Sequence, residues 1–339
     1  MRLGERNSES GNFVTRYLRK PKAVKQPPPH ENFAALALIT LMVLLAGICL
    51  TSPANAQERT DRSFSPAERN KTGTLRELIP GHYVFSSTSF NSGVIVTRDG
   101  VVVLDALSSE AIGRVEREAI AATLKQPVRF LVSSTFHNNY TWGNAAYQDV
   151  IRIGHDDYRG DLLALMQRDR VPPETQQARL PHVTFRDRLT IHLGGKEIQI
   201  LHLGRGHTRG DSILFVPQDR IVYVSELFFS DQFLYINDGY GLSWLKTLDA
   251  IDALPADIFV PGHGPIPPDP KETRAGLRQF RQMLVDLRDA VQQAIARGAS
   301  EDQAAAAIQL PQYEKLQGYS SQREVAVRRM YREIQGTLP

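Results

Sequence analysis

Val128-Arg129-Phe130-Leu131-Val132-Ser133-Ser134-Thr135-Phe136-His137-Asn138-Asn139-Tyr140-Thr141-Trp142-Gly143-Asn144 opens as a buried strand and closes as a polar loop around a histidine. The same construction recurs twice downstream. Ile198–Leu203 is strand-like and leads into Gly204-Arg205-Gly206-His207-Thr208-Arg209-Gly210-Asp211. Ile258-Phe259-Val260 leads into Pro261-Gly262-His263-Gly264. The C-terminal ends of strands are where α/β sheets gather ligands and chemistry. A lone histidine is usually structural. Three at strand ends, beside glycines that let the backbone turn tightly, mark a candidate site.

Outward from these loops the chain alternates between strand and helix. Gly93–Thr97 and Gly100–Asp105 are β-branched runs around an Arg98-Asp99-Gly100 turn. Residues 109–125 have helical spacing, with Ser108 or Ser109 as cap, and a helical stretch lies around 157–170. Val183–Phe185, Leu189–Leu193, Ser212–Val216 and Ile221–Val224 read as further strands, and residues 243–254 as a helix. In the tail Leu277, Phe280, Leu284, Leu287, Val291 and Ala294 step by threes and fours. About three heptads are short for a dimerising coiled coil, so that seam is expected to pack on its own domain. Ser300 with Gln303, and Ser321 with Glu324, have capping-box spacing.

The N-terminal segment sets the expected compartment. Phe33–Leu50 is apolar but for Thr40, follows basic residues, and precedes Ala54-Asn55-Ala56, a small-x-small cleavage signal. Residues 1–56 are expected to be a signal peptide, with an uncleaved membrane anchor as the alternative. Either way the body lies outside the cytoplasm, in the periplasm, with membrane contact only through an uncleaved leader. Residues 57–80 are expected to be a polar arm, 81–268 the main domain and 269–339 a helical extension packed on it. The 339-residue chain has 40 Lys+Arg and 37 Asp+Glu; seven and three of these fall within 1–56, leaving 33 and 34. A near-neutral body has no basic footprint for nucleic acid, and the expected partner is a small molecule. Cys49 is the single cysteine and lies in the leader. After cleavage any transition metal must therefore be held by histidines and carboxylates.

Gly93–Asp105, the loop at 133–144, GHTRGD at 206–211, VYVSELFF at 222–229 and PGHG at 261–264 occur in the order of the metallo-β-lactamase superfamily, which the chain resembles over about residues 82–268. The Thr141-Trp142-Gly143-Asn144 ending, the helix around Trp244 and the helical tail are most similar to an exported branch that includes the quinoprotein relay system zinc metallohydrolases. The resemblance implies an α/β fold, the αβ/βα four-layer sandwich, with a two-zinc site at one edge.

At that site the sequence departs from the family's H-x-H-x-D-H loop. Thr135 stands for the first histidine, Asn139 for the aspartate that ligates metal and orients water, and Tyr140 for the last histidine. His137, His207 and His263 match ligand positions, and Glu226 stands where the family has a bridging aspartate. Four ligands cannot complete two shells of about four donors each. The expected cofactor is at most one weakly bound zinc, held by His137, His207, Glu226 and His263. The expected function is hydrolysis by metal-activated water, with reduced or altered activity. Glu226 would be ligand or general base, and Tyr140 an oxyanion donor beside Asn139. The alternative is a metal-free, inactive binding protein on the same fold. Arg209-Gly210-Asp211 reads as support for the His207 strand rather than an adhesion motif. Asp105 reads equally as an outer partner for a ligand histidine or as a strand-end turn residue. His155 and His202 lie near these loops, and His202 is expected to be packed or surface-exposed.

Overall fold

The computed structural model describes residues 73–338. The expected leader and most of the polar arm lie outside them. The arm was expected to reach residue 80, yet Thr74–Ile79 form strand β1, antiparallel to β2 (His82–Ser87). An edge strand with three of its six residues exposed carries no apolar run to announce it.

β3 (Phe90–Thr97) and β4 (Gly100–Leu104) make the expected hairpin. Helix α1 (Glu110–Leu124) follows, its N-terminus capped by Ser109, whose hydroxyl accepts from the Ile112 amide. β5 (Val128–Ser133) lies parallel to β4, and its loop coils into the single turn α2 (Asn138–Thr141). β6 (Ile151–His155), α3 (Asp156–Arg168), α4 (Pro173–Arg179) and β7 (Val183–Phe185) complete the first half. The second half holds β8 (Arg188–Leu193), β9 (Lys196–Leu201), β10 (Ile213–Val216), β11 (Ile221–Phe229), α5 (Gly241–Asp252) and β12 (Ile258–His263).

The strand order is β7-β6-β5-β4-β3 and then β12-β11-β10-β9-β8, with β2 and β1 added on β3. The ladder joining the two halves is one residue pair, Phe90 opposite His263. Elsewhere the halves face each other. Val102, Leu104, Val132 and Ile153 meet Ile198, Ile200, Leu214, Ile221 and Val260 in one buried cluster. Ile120 of α1 packs on the outer face of the first half, and α5 with the tail helices covers the second. The order helix, sheet, sheet, helix is the four-layer sandwich that the resemblance implies.

The tail consists of α6 (Thr273–Ala296), α7 (Glu301–Ala307) and α8 (Tyr319–Ile334). Its apolar seam is buried against Phe229, Trp244 and Leu248, so the helices complete the core of their own domain. The capping box of Ser300 and Gln303 is present. The second expected box is not: α8 begins at Tyr319 after Gly318, and Ser321 donates back to the Gly318 carbonyl. β11 runs beyond its expected end at Val224. Its parallel register with β12 breaks at Ser225, which sits at φ +50°. There the strands approach so closely that a Cβ on Gly262 would lie 2.4 Å from the Ser225 carbonyl carbon. The bulge re-aims Glu226. Among the described residues no helix is long and apolar enough to cross a membrane.

Candidate metal centre

Four segments deliver side chains to one point at the sheet edge. The loop after β5 supplies His137, the turn after β9 supplies His207, the bulge in β11 supplies Glu226, and the end of β12 supplies His263. Glu226 is the hub. Its Oε2 lies 2.5 Å from His207 Nε2 and 3.6 Å from His137 Nδ1, and those two nitrogens are 2.8 Å apart. Its other oxygen, Oε1, accepts from His263 Nε2 at 2.6 Å and from the Asn139 amide at 3.4 Å. Donor atoms of His137, His207 and Glu226 all lie within 4.8 Å of one another.

Local bonds hold these groups in place. Asp211 caps the His207 turn, accepting from the Thr208 amide at 2.8 Å and the Thr208 hydroxyl at 2.5 Å. This is the supporting role expected of it. Asp105 touches no histidine. It accepts from the Ser134 amide and hydroxyl, both at 2.8 Å, and from the Ser225 hydroxyl at 2.6 Å. It thereby ties the start of the His137 loop to the bulge before Glu226. His202 is half-buried with its ring stacked on His155, centroids 4.1 Å apart, outside the cluster.

Charge inside the cluster is unevenly shared. Burial alone would raise the Glu226 carboxyl, but His207 and His263, with hydrogen bonds from His137 and His207, hold it well below the usual carboxylate range. Burial alone would lower His137. Its bonds to Asp238 and Glu226 outweigh that and push it up to about 9. Asp105 is pushed up to about 7 because desolvation outweighs its three hydrogen bonds.

One residue sits differently from expectation. Tyr140 is fully buried between Phe90 and His263, and its hydroxyl donates to the Gly262 carbonyl. That donor is committed to backbone rather than open to an oxyanion. Thr135 is also fully buried, with a hydroxyl oxygen that has no hydrogen-bond partner among the described residues. Sequence reasoning missed Asp238, whose Oδ2 accepts from His137 Nε2 at 2.9 Å. Asn237-Asp238-Gly239 reads as an ordinary turn, and only the fold brings it against a histidine 101 positions away.

The family model of the metallo-beta-lactamase superfamily matches residues 89–263, just over half of the chain. The chain belongs to the metallo-β-lactamase superfamily. Among curated relatives it is 23% identical to the 2,4-dinitroanisole O-demethylase subunit alpha of Nocardioides sp. (strain JS1661), over 48% of this chain and 49% of that protein. It is 24% identical to the metallo-beta-lactamase type 2 of Bacteroides fragilis, over 51% and 68%. The chain thus spans about half the length of the first of these relatives. Of solved structures, a metallo-beta-lactamase from Pontibacter korlensis superposes with a TM-score of 0.54 at 20% identity, covering 62% of this chain and 98% of that one. The inverting sec-alkylsulfatase Pisa1 from Pseudomonas sp. superposes with a TM-score of 0.62 at 15% identity, covering 78% and 51%. Likenesses at these identities establish the fold.

Superfamily membership raises the question of which ions these residues fit. Tetrahedral zinc ligands at about 2.1 Å from the ion lie roughly 3.4 Å from each other. The contacts of 2.5 and 2.8 Å around His207 Nε2 must each open by less than an ångström to admit one ion. Two imidazoles and a carboxylate, from His137, His207 and Glu226, with a water in the fourth position, are a sufficient donor set for it, while His263 stands on the other carboxylate oxygen. A second ion does not fit. Asn139 is a neutral amide already donating to Glu226, and the Tyr140 hydroxyl is occupied. The surroundings of these rings are incomplete too: among the described residues Nδ1 of His207 and of His263 are buried without partners, whereas metal-bound imidazoles ordinarily have theirs hydrogen-bonded.

Proposed function

We propose that this chain is an exported, single-zinc hydrolase of the metallo-β-lactamase superfamily acting on a small molecule, with activity reduced relative to two-metal relatives. The observation that supports it is the convergence of His137 Nδ1, His207 Nε2 and Glu226 Oε2. His263 Nε2 stands on the second oxygen of the same carboxylate. His137, His207 and Glu226 would hold the ion, and His263 would steady the carboxylate from its other oxygen. A bound zinc lowers the pKa of coordinated water and polarises an ester-type oxygen. Glu226 acts as a ligand rather than a general base, because both of its oxygens are engaged by the surrounding histidines and neither is open to a substrate proton. The Asn139 amide, donating to Oε1, orients that carboxylate. Tyr140 fixes the Gly262 backbone beside His263. The relatives include a lactamase, an alkylsulfatase and an O-demethylase subunit, so the reacting bond stays at the level of an ester, amide or ether.

A second reading has its own support. The four donor groups already satisfy one another at hydrogen-bond distance, an arrangement suited to a metal-free binding protein. Elemental analysis of the purified protein decides between them. Close to one zinc per chain supports the hydrolase. No metal after dialysis against micromolar zinc supports the binding protein, and two tightly held ions would defeat both. Export is tested separately, by release of the protein on osmotic shock with Gln57 at its N-terminus.

A further inference from the structure

The segment between β11 and α5, residues 230–240, lies beside the cluster without regular structure of its own. Yet it is fastened along its length. Near its start the Phe233 amide donates to the Gln317 carbonyl at 2.9 Å, and Gln232 bridges Gln317. Near its end the Tyr240 amide donates to the Gly206 carbonyl at 2.8 Å, one residue before His207. Between these points Arg329 of α8 donates from Nε to the Gly239 carbonyl at 2.7 Å. The Arg329 guanidinium also lies 5.5 Å from the centroid of the Tyr240 ring, whose other close cation is Arg205 at 4.6 Å. Gly239 immediately follows Asp238, so the arginine holds the peptide one residue beyond that carboxylate.

Asp238 in turn touches one ring nitrogen of His137. An imidazole that donates Nε2–H to a carboxylate presents Nδ1 as its lone-pair atom. Nδ1 is the atom facing His207 and Glu226. We propose that Asp238 is a positioning residue that fixes His137 with Nδ1 inward, and that Arg329 holds Asp238 in place. The C-terminal helical region is on this view part of the metal centre, although none of its side chains reaches the cluster. The inference rests on the single-ion reading for its metal readout and stands without it for its spectroscopic one.

The test uses the full mature chain and three variants. Asp238→Leu removes the acceptor, Arg329→Ala removes the clamp, and Arg329→Lys keeps a donor for Gly239. Cobalt and zinc affinities are measured by chelator competition. Ring nitrogen shifts of His137 are measured by 15N NMR at alkaline pH, where the ring is neutral, with and without zinc. Asp238→Leu is expected to weaken metal binding by about 10- to 100-fold and to mix the two tautomers. Arg329→Ala is expected to weaken binding by a few-fold, with Arg329→Lys recovering most of it. An Asp238→Leu protein with metal affinity within twofold of the parent and an unchanged Nε2–H tautomer would overturn the proposal while leaving the metal reading intact. A parent protein that binds no metal, but loses its Nε2–H preference in Asp238→Leu, would support the positioning role and remove the metal reading instead.

Discussion

The two sides of Glu226 have the same carboxylate and different company. Oε2 faces two imidazoles, one of them backed by Asp238. Oε1 faces one imidazole and the amide of Asn139, with the Tyr140 hydroxyl spent on backbone nearby. The first side is still a set of metal donors. The second has become packing and hydrogen bonds. An aspartate at 139 would put a second negative charge about where the amide now donates, and without a cation between them two such carboxylates repel. The amide therefore removes a ligand and a source of strain together.

Removing the hub should erase the contrast. Glu226→Ala is expected to abolish measurable zinc binding, a loss of well over about 100-fold, because both sides lose their common oxygen donor. In the metal-free protein the same change leaves protonated His137 without its buried partner. A cost of roughly 3–5 kcal/mol in urea unfolding is expected. Next come the single histidines. His137→Ala should weaken zinc by about 100-fold and His263→Ala by about tenfold, as read by chelator competition. Equal losses would mean that the two sides are equivalent.

Rebuilding the weaker side gives the opposite test. Thr135→His, Asn139→Asp and Tyr140→His together should raise the zinc stoichiometry from one toward two. Asn139→Asp alone should destabilise the metal-free protein by about 1–2 kcal/mol, with the loss reversed by zinc; thermal melts with and without the ion measure both. A separate effect lies away from either side and leaves the metal centre untouched. Glu116 is fully buried, accepts from Ser92 and Tyr147, and desolvation pushes its pKa up to about 8. A carboxyl raised on folding favours the native state while protonated. Its contribution is complete below about pH 4 and is lost as pH climbs toward 8. Glu116→Gln should flatten that slope in urea midpoints while leaving zinc stoichiometry unchanged.

Much of this arrangement is legible in the sequence, for reasons that differ by element. Gly93–Thr97 and Val128–Ser133 announce themselves because buried strands are β-branched and continuous. His137, His207 and His263 stand out because each follows such a strand. β1 is hidden because an edge strand half in water keeps polar residues. The bulge at Ser225 is hidden because a positive φ at serine has no sequence mark. The commitment of the Tyr140 hydroxyl depends on where Gly262 lies, 122 positions on. Asp238 is invisible for the same reason: its partner is chosen by the fold.

The single-pair seam between the sheet halves has a dynamic consequence. His137 belongs to the half containing β5, whereas His207, Glu226 and His263 belong to the half containing β9, β11 and β12. An ion bound among them would be a cross-link between the two halves, close to where Phe90 and His263 pair. Without it, the halves are joined by that pair, by side-chain bonds and by the core between them, and amides beside the seam exchange through local opening. With it, the least protected sheet amides of both halves should converge on one opening free energy.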